Sequence, residues 1–217
     1  NDLIYNSNSF ISKLGFKNNF DLYLKNLNSA GKNDSLYSSN MQIEGMSILK
    51  IDSAIPLLKS TNLTRQILTP KISLRINPGN NMDNYRDTAT NITTNNIYDI
   101  NRLGISNVFE AGKSLTLGLD YKFDKQENDL TEDGDDKYFE VKLATVLRDR
   151  FENDIPMSST INKKKSDIFG SINNRLFNNF NLVYDFSLDN DLKTINSSAV
   201  STEFSINNFV TSFNYIE

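Results

Sequence analysis

The chain contains no cysteine, no histidine and no tryptophan. Without cysteine there are no disulfides in this segment. Without cysteine or histidine there are no zinc sites with thiolate or imidazole ligands, and no histidine-based catalysis. No basic excess exists either: 23 Lys and Arg stand against 27 Asp and Glu, a formal net charge of −4. Nucleic-acid binding rewards a basic patch, so this balance argues against it. No apolar run approaches the roughly 18 residues that a membrane helix needs. That absence does not exclude a membrane, because barrel strands alternate and escape hydropathy scans.

What is present is an unusual pairing of properties. Hydrophobic residues make up only 38% of the 217 residues, and the mean hydropathy is −0.46. Yet 14 Phe and 9 Tyr bring aromatics to 11%. Such a chain can be a disordered tail, a solvent-rich β-protein or a transmembrane barrel. Its abundant aromatic and β-branched residues argue against disorder.

The dominant pattern is period-2 alternation in segments of about ten residues, the barrel signature. Leu115, Leu117, Leu119, Tyr121 and Phe123 share one face, opposite Ser114, Thr116, Gly118, Asp120 and Lys122. Phe139, Val141, Leu143, Thr145 and Leu147 oppose Glu140, Lys142 and Arg148. Leu68, Pro70, Ile72, Leu74 and Ile76 oppose Thr69, Lys71, Ser73 and Arg75. Leu182, Tyr184, Phe186 and Leu188 repeat the pattern, as do Val200, Thr202, Phe204 and Ile206. Phe209, Thr211, Phe213 and Tyr215 follow, and a stripe from Phe10 through Leu14 and Phe16 continues at Phe20, Leu22 and Leu24. A charge facing lipid near the bilayer midplane costs roughly 2–4 kcal/mol. Asp120, Lys122 and Asp185 therefore predict a water-lined second face. Charge introduced at Leu117 or Leu119 should impair assembly, and the same change at Thr116 should be tolerated.

Turns punctuate the stripes at Asn77-Pro78-Gly79, Asn178-Asn179 and Asn207-Asn208. Longer polar loops span 80–96, 124–136 and 151–165. About ten strands are expected, with no helix of ordinary length and no long repeat. The chain opens at Asn1 without an initiator Met or signal-peptide pattern and stops inside a strand-like stretch. The expected organisation is one internal segment, residues 1–217, of a single barrel domain.

Candidate sites are few. Asp129, Glu132, Asp133, Asp135 and Asp136 invite a calcium reading, but their spacing does not match a calcium loop, and Asp133-Gly134 is a good turn pair. A solvated acidic loop is the expectation. Lys163-Lys164-Lys165 reads as a charged loop that could meet lipid phosphates. Arg102 either pairs with an acid such as Asp99, pinning a loop into the lumen, or faces solvent. Tyr121, Phe123, Tyr138, Phe151, Phe177, Phe180 and Tyr215 suit an interfacial aromatic girdle. Carboxylate pairs and Ser–Lys arrangements lack distinctive spacing, so no catalytic, cofactor-binding or metal site is assigned and no enzyme is expected.

From 68 to 123 the order of features is more specific. Leu68-Thr69-Pro70-Lys71 opens a strand ending at Asn77-Pro78-Gly79. A polar loop follows, then Asn96-Ile97-Tyr98-Asp99-Ile100-Asn101-Arg102-Leu103-Gly104, then a strand with Gly118-Leu119. This order resembles the barrel domain of the LptD (OstA) lipopolysaccharide-assembly family. Gly104-Ile105-Ser106-Asn107 departs from that family's Gly-x-Asp-Arg, and Leu103 replaces its usual aromatic. The resemblance implies an all-β, antiparallel transmembrane barrel in the Gram-negative outer membrane. Its role would be inserting lipopolysaccharide into the outer leaflet, without a cofactor. Implied partners are lipopolysaccharide, an LptE-like plug lipoprotein and a periplasmic lipopolysaccharide-bridge protein docking on a domain absent here. A porin or solute receptor explains the alternation equally well but not the 68–123 order. A soluble β-rich adhesion module would bury the apolar stripes between sheets.

Overall fold

The alternation becomes strands of unusual length. In the computed structural model, which describes residues 2–33, 39–79, 91–104, 109–125, 137–153, 155–177, 179–206 and 209–217, the strands are β1 (Asp2–Asn6), β2 (Phe10–Ile11), β3 (Lys17–Ser29), β4 (Gln42–Ala54), β5 (Leu57–Ser60), β6 (Thr64–Asn77), β7 (Gly112–Lys125), β8 (Lys137–Arg148), β9 (Ile168–Phe177), β10 (Phe180–Leu188), β11 (Ile195–Ile206) and β12 (Phe209–Ile216). They form one antiparallel sheet in the order β1-β3-β4-β6-β7-β8-β9-β10-β11-β12, with β2 on β3 and β5 on β6. The ten-strand path matches the expected count; the two extra strands are short pieces beside it. Nearest-neighbour antiparallel order is what hairpin connections produce, and the sheet is open, consistent with part of a barrel. Among the described residues no helix is long and apolar enough to cross a membrane; that says nothing of strands.

Register carries the stripes across the sheet. Leu74, Leu115 and Leu147 lie in one cross-strand row, and Leu119, Leu143, Gly170 and Phe186 in another. This face is bare: Ile72 is 42% exposed, Leu117 38% and Leu119 40%. The opposite face carries Arg75, Ser114 and Arg148 in one row and Thr69, Asp120, Lys142, Ser171 and Asp185 in another. Here Arg75, Ser114, Thr116 and Arg148 are each under 7% exposed. A soluble sheet buries its greasy face. This one exposes it and buries its polar face, the reverse of a soluble sheet and the arrangement of a barrel wall facing lipid.

Pro70 sits within this sheet, where a missing N–H should break a rung. The pairing shows how it is accommodated. Ala54 opposes Lys71 and Leu57 opposes Leu68, so β4 and β5 keep one register along β6. Between them lie Ile55 and Pro56, and the Ile55 N–H donates to the Pro70 carbonyl at 3.2 Å. In an antiparallel ladder the return bond would run from residue 70 to Ile55. Pro70 cannot donate it. The cost falls at the break between β4 and β5, while β6 and β7 pair without interruption from Thr64–Lys125 to Asn77–Gly112.

Two sequence expectations change. The stripe from Phe10 to Leu24 is interrupted by a turn at Ser12–Phe16, closed by the Gly15 N–H to the Ser12 carbonyl, with Gly15 at φ 85°. Tyr138 does not join the girdle. It faces the polar side opposite Asp124, accepts a bond from Asn173 Nδ2 at 3.0 Å and lies under Lys122.

Candidate functional site

The polar face is closed by the chain's own loops. Residues 91–104, followed by Phe109 to Ala111, fold back over β4, β6, β7 and β8. Ile92, Ile97 and Leu103 pack with Ala144, Val146 and Phe169 of the sheet and with Ile155 and Ile161 of the 149–167 loop. Phe109 joins Tyr23, Met46 and Ile48 in a second cluster, its ring 5.0 Å from that of Tyr23. The core thus lies between loops and sheet, on the face that elsewhere is charged.

At its centre is an ion cluster. Glu110 Oε1 lies 2.5 Å from Arg102 Nε and 3.3 Å from an Arg75 guanidinium nitrogen, and Oε2 lies 2.7 Å from Arg148. The Glu110 carbonyl also accepts bonds from Arg75 at 2.7 Å and Asn77 at 3.0 Å. Arg102 donates further to Ser114 Oγ at 3.0 Å and Thr116 Oγ1 at 3.2 Å. Burial pushes the Glu110 carboxyl up, but Arg102, Arg75 and Arg148 together outweigh it and hold the pKa at about 2. The cluster clamps a loop (Arg102, Glu110) to three strands (Arg75 on β6, Ser114 and Thr116 on β7, Arg148 on β8). Gly112, at φ 87° beside the Arg148 guanidinium, lets the chain turn from Glu110 into β7.

A second anchor is a notch. Gly118 has no side chain, and Tyr98 fills the space: a methyl there would collide with the Tyr98 hydroxyl. Lys71, ion-paired with Asp120, lies 5.5 Å from the Tyr98 ring. The 149–167 loop has its own anchor at Asp167, which is fully buried and accepts bonds from Ser187 at 2.9 Å and Asn196 at 2.6 Å. Ser166 runs along β8, its N–H to the Val146 carbonyl and its Oγ receiving the Val146 N–H.

Beyond the loops the polar face neutralises itself. Lys50 bridges Asp21 and Asp52 at 3.4 and 2.8 Å, Arg65 and Lys122 meet Asp124, and Lys142 meets Glu140. Such a surface retains no large single-sign field.

Of the expected sites, Arg102 does pin a loop into the lumen, but its acid is Glu110; Asp99 is exposed. Lys163-Lys164-Lys165 is exposed, with Lys163 3.8 Å from Asp167. The acidic cluster at 129–136 lies outside the described residues. Thr116 faces the polar side as expected, yet it is 3% exposed beneath Arg102, so a charge there would not be tolerated. The Glu110 cluster and the Tyr98–Gly118 notch were missed from sequence. The available signal was the scatter of Ile92, Ile97, Ile100 and Leu103 through a polar loop. Among the described residues no group of three or more acidic side chains could hold a metal.

Among known families, the model described as LptD, LPS transport system D, matches residues 3–217. No curated protein matches the chain.

Proposed function

Because the chain belongs to the LptD family of lipopolysaccharide transport proteins, we propose that it forms wall and inward loops of an outer-membrane barrel that inserts lipopolysaccharide into the outer leaflet. The observation that carries this reading is the inverted sheet, bare and apolar on one face, charged and loop-covered on the other. An amphipathic lipid needs both surfaces. Its sugars and phosphates require a polar route, and its acyl chains gain about 0.8 kcal/mol per methylene on reaching the bilayer. The charge-balanced polar face supports a conduit for the headgroup; the bare face supports residence in lipid.

On this reading residues 1–217 are an internal segment of one barrel domain, and the protein works in the Gram-negative outer membrane. Its partners are a plug lipoprotein within the lumen and a periplasmic bridge protein that hands over lipid to a domain outside this segment. The function is transport, with no chemistry on the lipid. The test is depletion of the full-length protein in its host, followed by an impermeant probe for lipopolysaccharide on intact cells. New surface lipopolysaccharide should stop appearing and should return with the wild-type gene. Unchanged surface delivery during depletion would overturn the proposal.

A further inference from the structure

On β7 the apolar face begins and ends with lysine. Lys113 stands two residues before Leu115 and Lys125 two after Phe123, both on the leucine side of the strand. The strand between them is about 41 Å long at ~3.4 Å per residue. At the 35–45° tilt of such barrels it spans about 29–34 Å, the thickness of the hydrocarbon layer. Both ammoniums therefore reach headgroup level, where a charge on the lipid-facing side costs little. At the Lys113 end a second cation joins. Leu147 and Lys165 form an antiparallel bridge, with the Arg148 N–H donating to the Lys164 carbonyl at 2.8 Å and the Ser166 N–H to the Val146 carbonyl at 2.9 Å. Residues paired this way turn their side chains to the same side, so Lys165 extends the row of Leu74, Leu115 and Leu147. Beside it the face is hollow: an open depression of about 210 Å³ is lined by those three leucines and by Lys113 and Asp149. Lys113 and Lys165 are exposed, and among the described residues neither has an ion pair. On the polar face Lys25, Lys50, Lys71, Lys122 and Lys142 all do.

We propose that this rim binds a phosphate on the sugar headgroup of an outer-leaflet lipid, Lys113 and Lys165 donating to its oxygens while one acyl chain lies over Leu74, Leu115 and Leu147. The inference rests on the lipopolysaccharide-transport reading for the membrane and for the identity of the lipid; charge and register carry its chemistry. Orientation follows from the connections. The long segments 30–41, 78–111 and 149–167 all leave the sheet at this end, and the short turns 178–179 and 207–208 lie at the other. Barrels put their longer loops outside, so the rim meets the outer leaflet. Charge selects the group: two unpaired ammoniums against one acid, Asp149, leave an excess that favours an anion. The depression is smaller than the roughly 300–1,000 Å³ of pockets that enclose whole ligands, and takes a stretch of chain rather than a molecule. The sheet stands between this site and the lumen, so it holds lipid already in the bilayer and is separate from the polar route.

Lysine footprinting reads the site in unmodified protein. Full-length protein in detergent is acetylated briefly with an amine-reactive ester. It is treated alone, with lipid A bearing two phosphates, with the same lipid stripped of phosphate, or with inorganic phosphate, and each lysine is quantified by peptide mass spectrometry. The bisphosphorylated lipid should slow labelling of Lys113 and Lys165 severalfold. The dephosphorylated lipid and inorganic phosphate should not, and Lys59, exposed on the same face at the other end, should react equally throughout. Lys113→Gln should raise the lipid concentration that half-protects Lys165 by about two- to fivefold, the worth of an exposed charge pair. No protection, equal protection by the dephosphorylated lipid or by inorganic phosphate, equal protection of Lys59, or an unchanged half-protection point in Lys113→Gln would each overturn the rim site. If the rim is not protected while depletion still stops surface lipopolysaccharide, only this inference falls. If it is protected while surface delivery survives depletion, the transport reading falls and the rim stands as a site for phosphorylated lipid.

Discussion

Replacing Glu110 by Gln keeps the shape of the side chain and removes its charge. Three guanidiniums, each under 5% exposed at the side chain, would then share no counter-charge at distances now of 2.5, 2.7 and 3.3 Å. Breaking a buried ion pair costs about 3–5 kcal/mol. The lower end applies, because Arg75 keeps the Ile100 and Glu110 carbonyls, Arg102 keeps Ser114 and Thr116, and Arg148 keeps the Ala111 carbonyl. The acidity of Glu110 gives the same scale: a drop from 4.5 to about 2, at about 1.4 kcal/mol per unit, is on the order of 3 kcal/mol. The loss should appear as local opening of the 91–104 loop, which hydrogen exchange reads directly. In full-length protein in nanodiscs, the amides of Ile97, Asp99 and Gly104, bonded to Thr93, Asn96 and Asn101, should exchange about a hundredfold faster. Amides of β10 should not change. The sign of the pH dependence follows from a depressed pKa: wild-type protection holds above pH 4.5 and is lost as pH falls toward 2. Less than a threefold change in Glu110→Gln, or equal loosening in β10, would refute the clamp.

Leu119→Lys places a charge on the bare face and should cost roughly 2–4 kcal/mol near the midplane, lowering the folded fraction in a heat-modifiability gel; Ser201→Lys, exposed on the polar face, should fold as wild type. Gly118→Ala should expel Tyr98 from its notch, costing about 1–3 kcal/mol as overpacking does, and Tyr98→Ala in the same chain should relieve most of that loss in a thermal melt. Pro70→Ala adds a donor facing Ile55 and should stabilise the β4–β5 junction by about 1 kcal/mol, seen as slower exchange of the Ile55 amide; faster exchange there would contradict the missing-rung account.

The wall was legible because lipid and water impose opposite demands on alternate residues, and a period of two writes both into adjacent letters. Leu115 to Phe123 and Phe139 to Leu147 could be placed on one face before any pairing was known, and their register agrees. The lumen contents were not legible. The loops carry no period, because their apolar residues meet a sheet rather than repeat along an element. Glu110 finds Arg75 and Arg148 at separations of 35 and 38 residues, which no local pattern encodes. The same blindness made Thr116 look tolerant: alternation gave its face but could not show Arg102 lying over it. Tyr138 misled for a related reason. An aromatic near a strand end suits a girdle, but its parity along β8 places it with Glu140 and Lys142.

In the proposed barrel the apolar face of this sheet meets lipid and the charged face does not. Spin labels on single cysteines introduced one at a time from Val200 to Ile206 on β11, in full-length protein in bilayers, read the two faces. Collision with oxygen, which concentrates in lipid, should peak at 200, 202, 204 and 206 and drop at 201, 203 and 205. The opposite phase, or no alternation at all, would contradict the account.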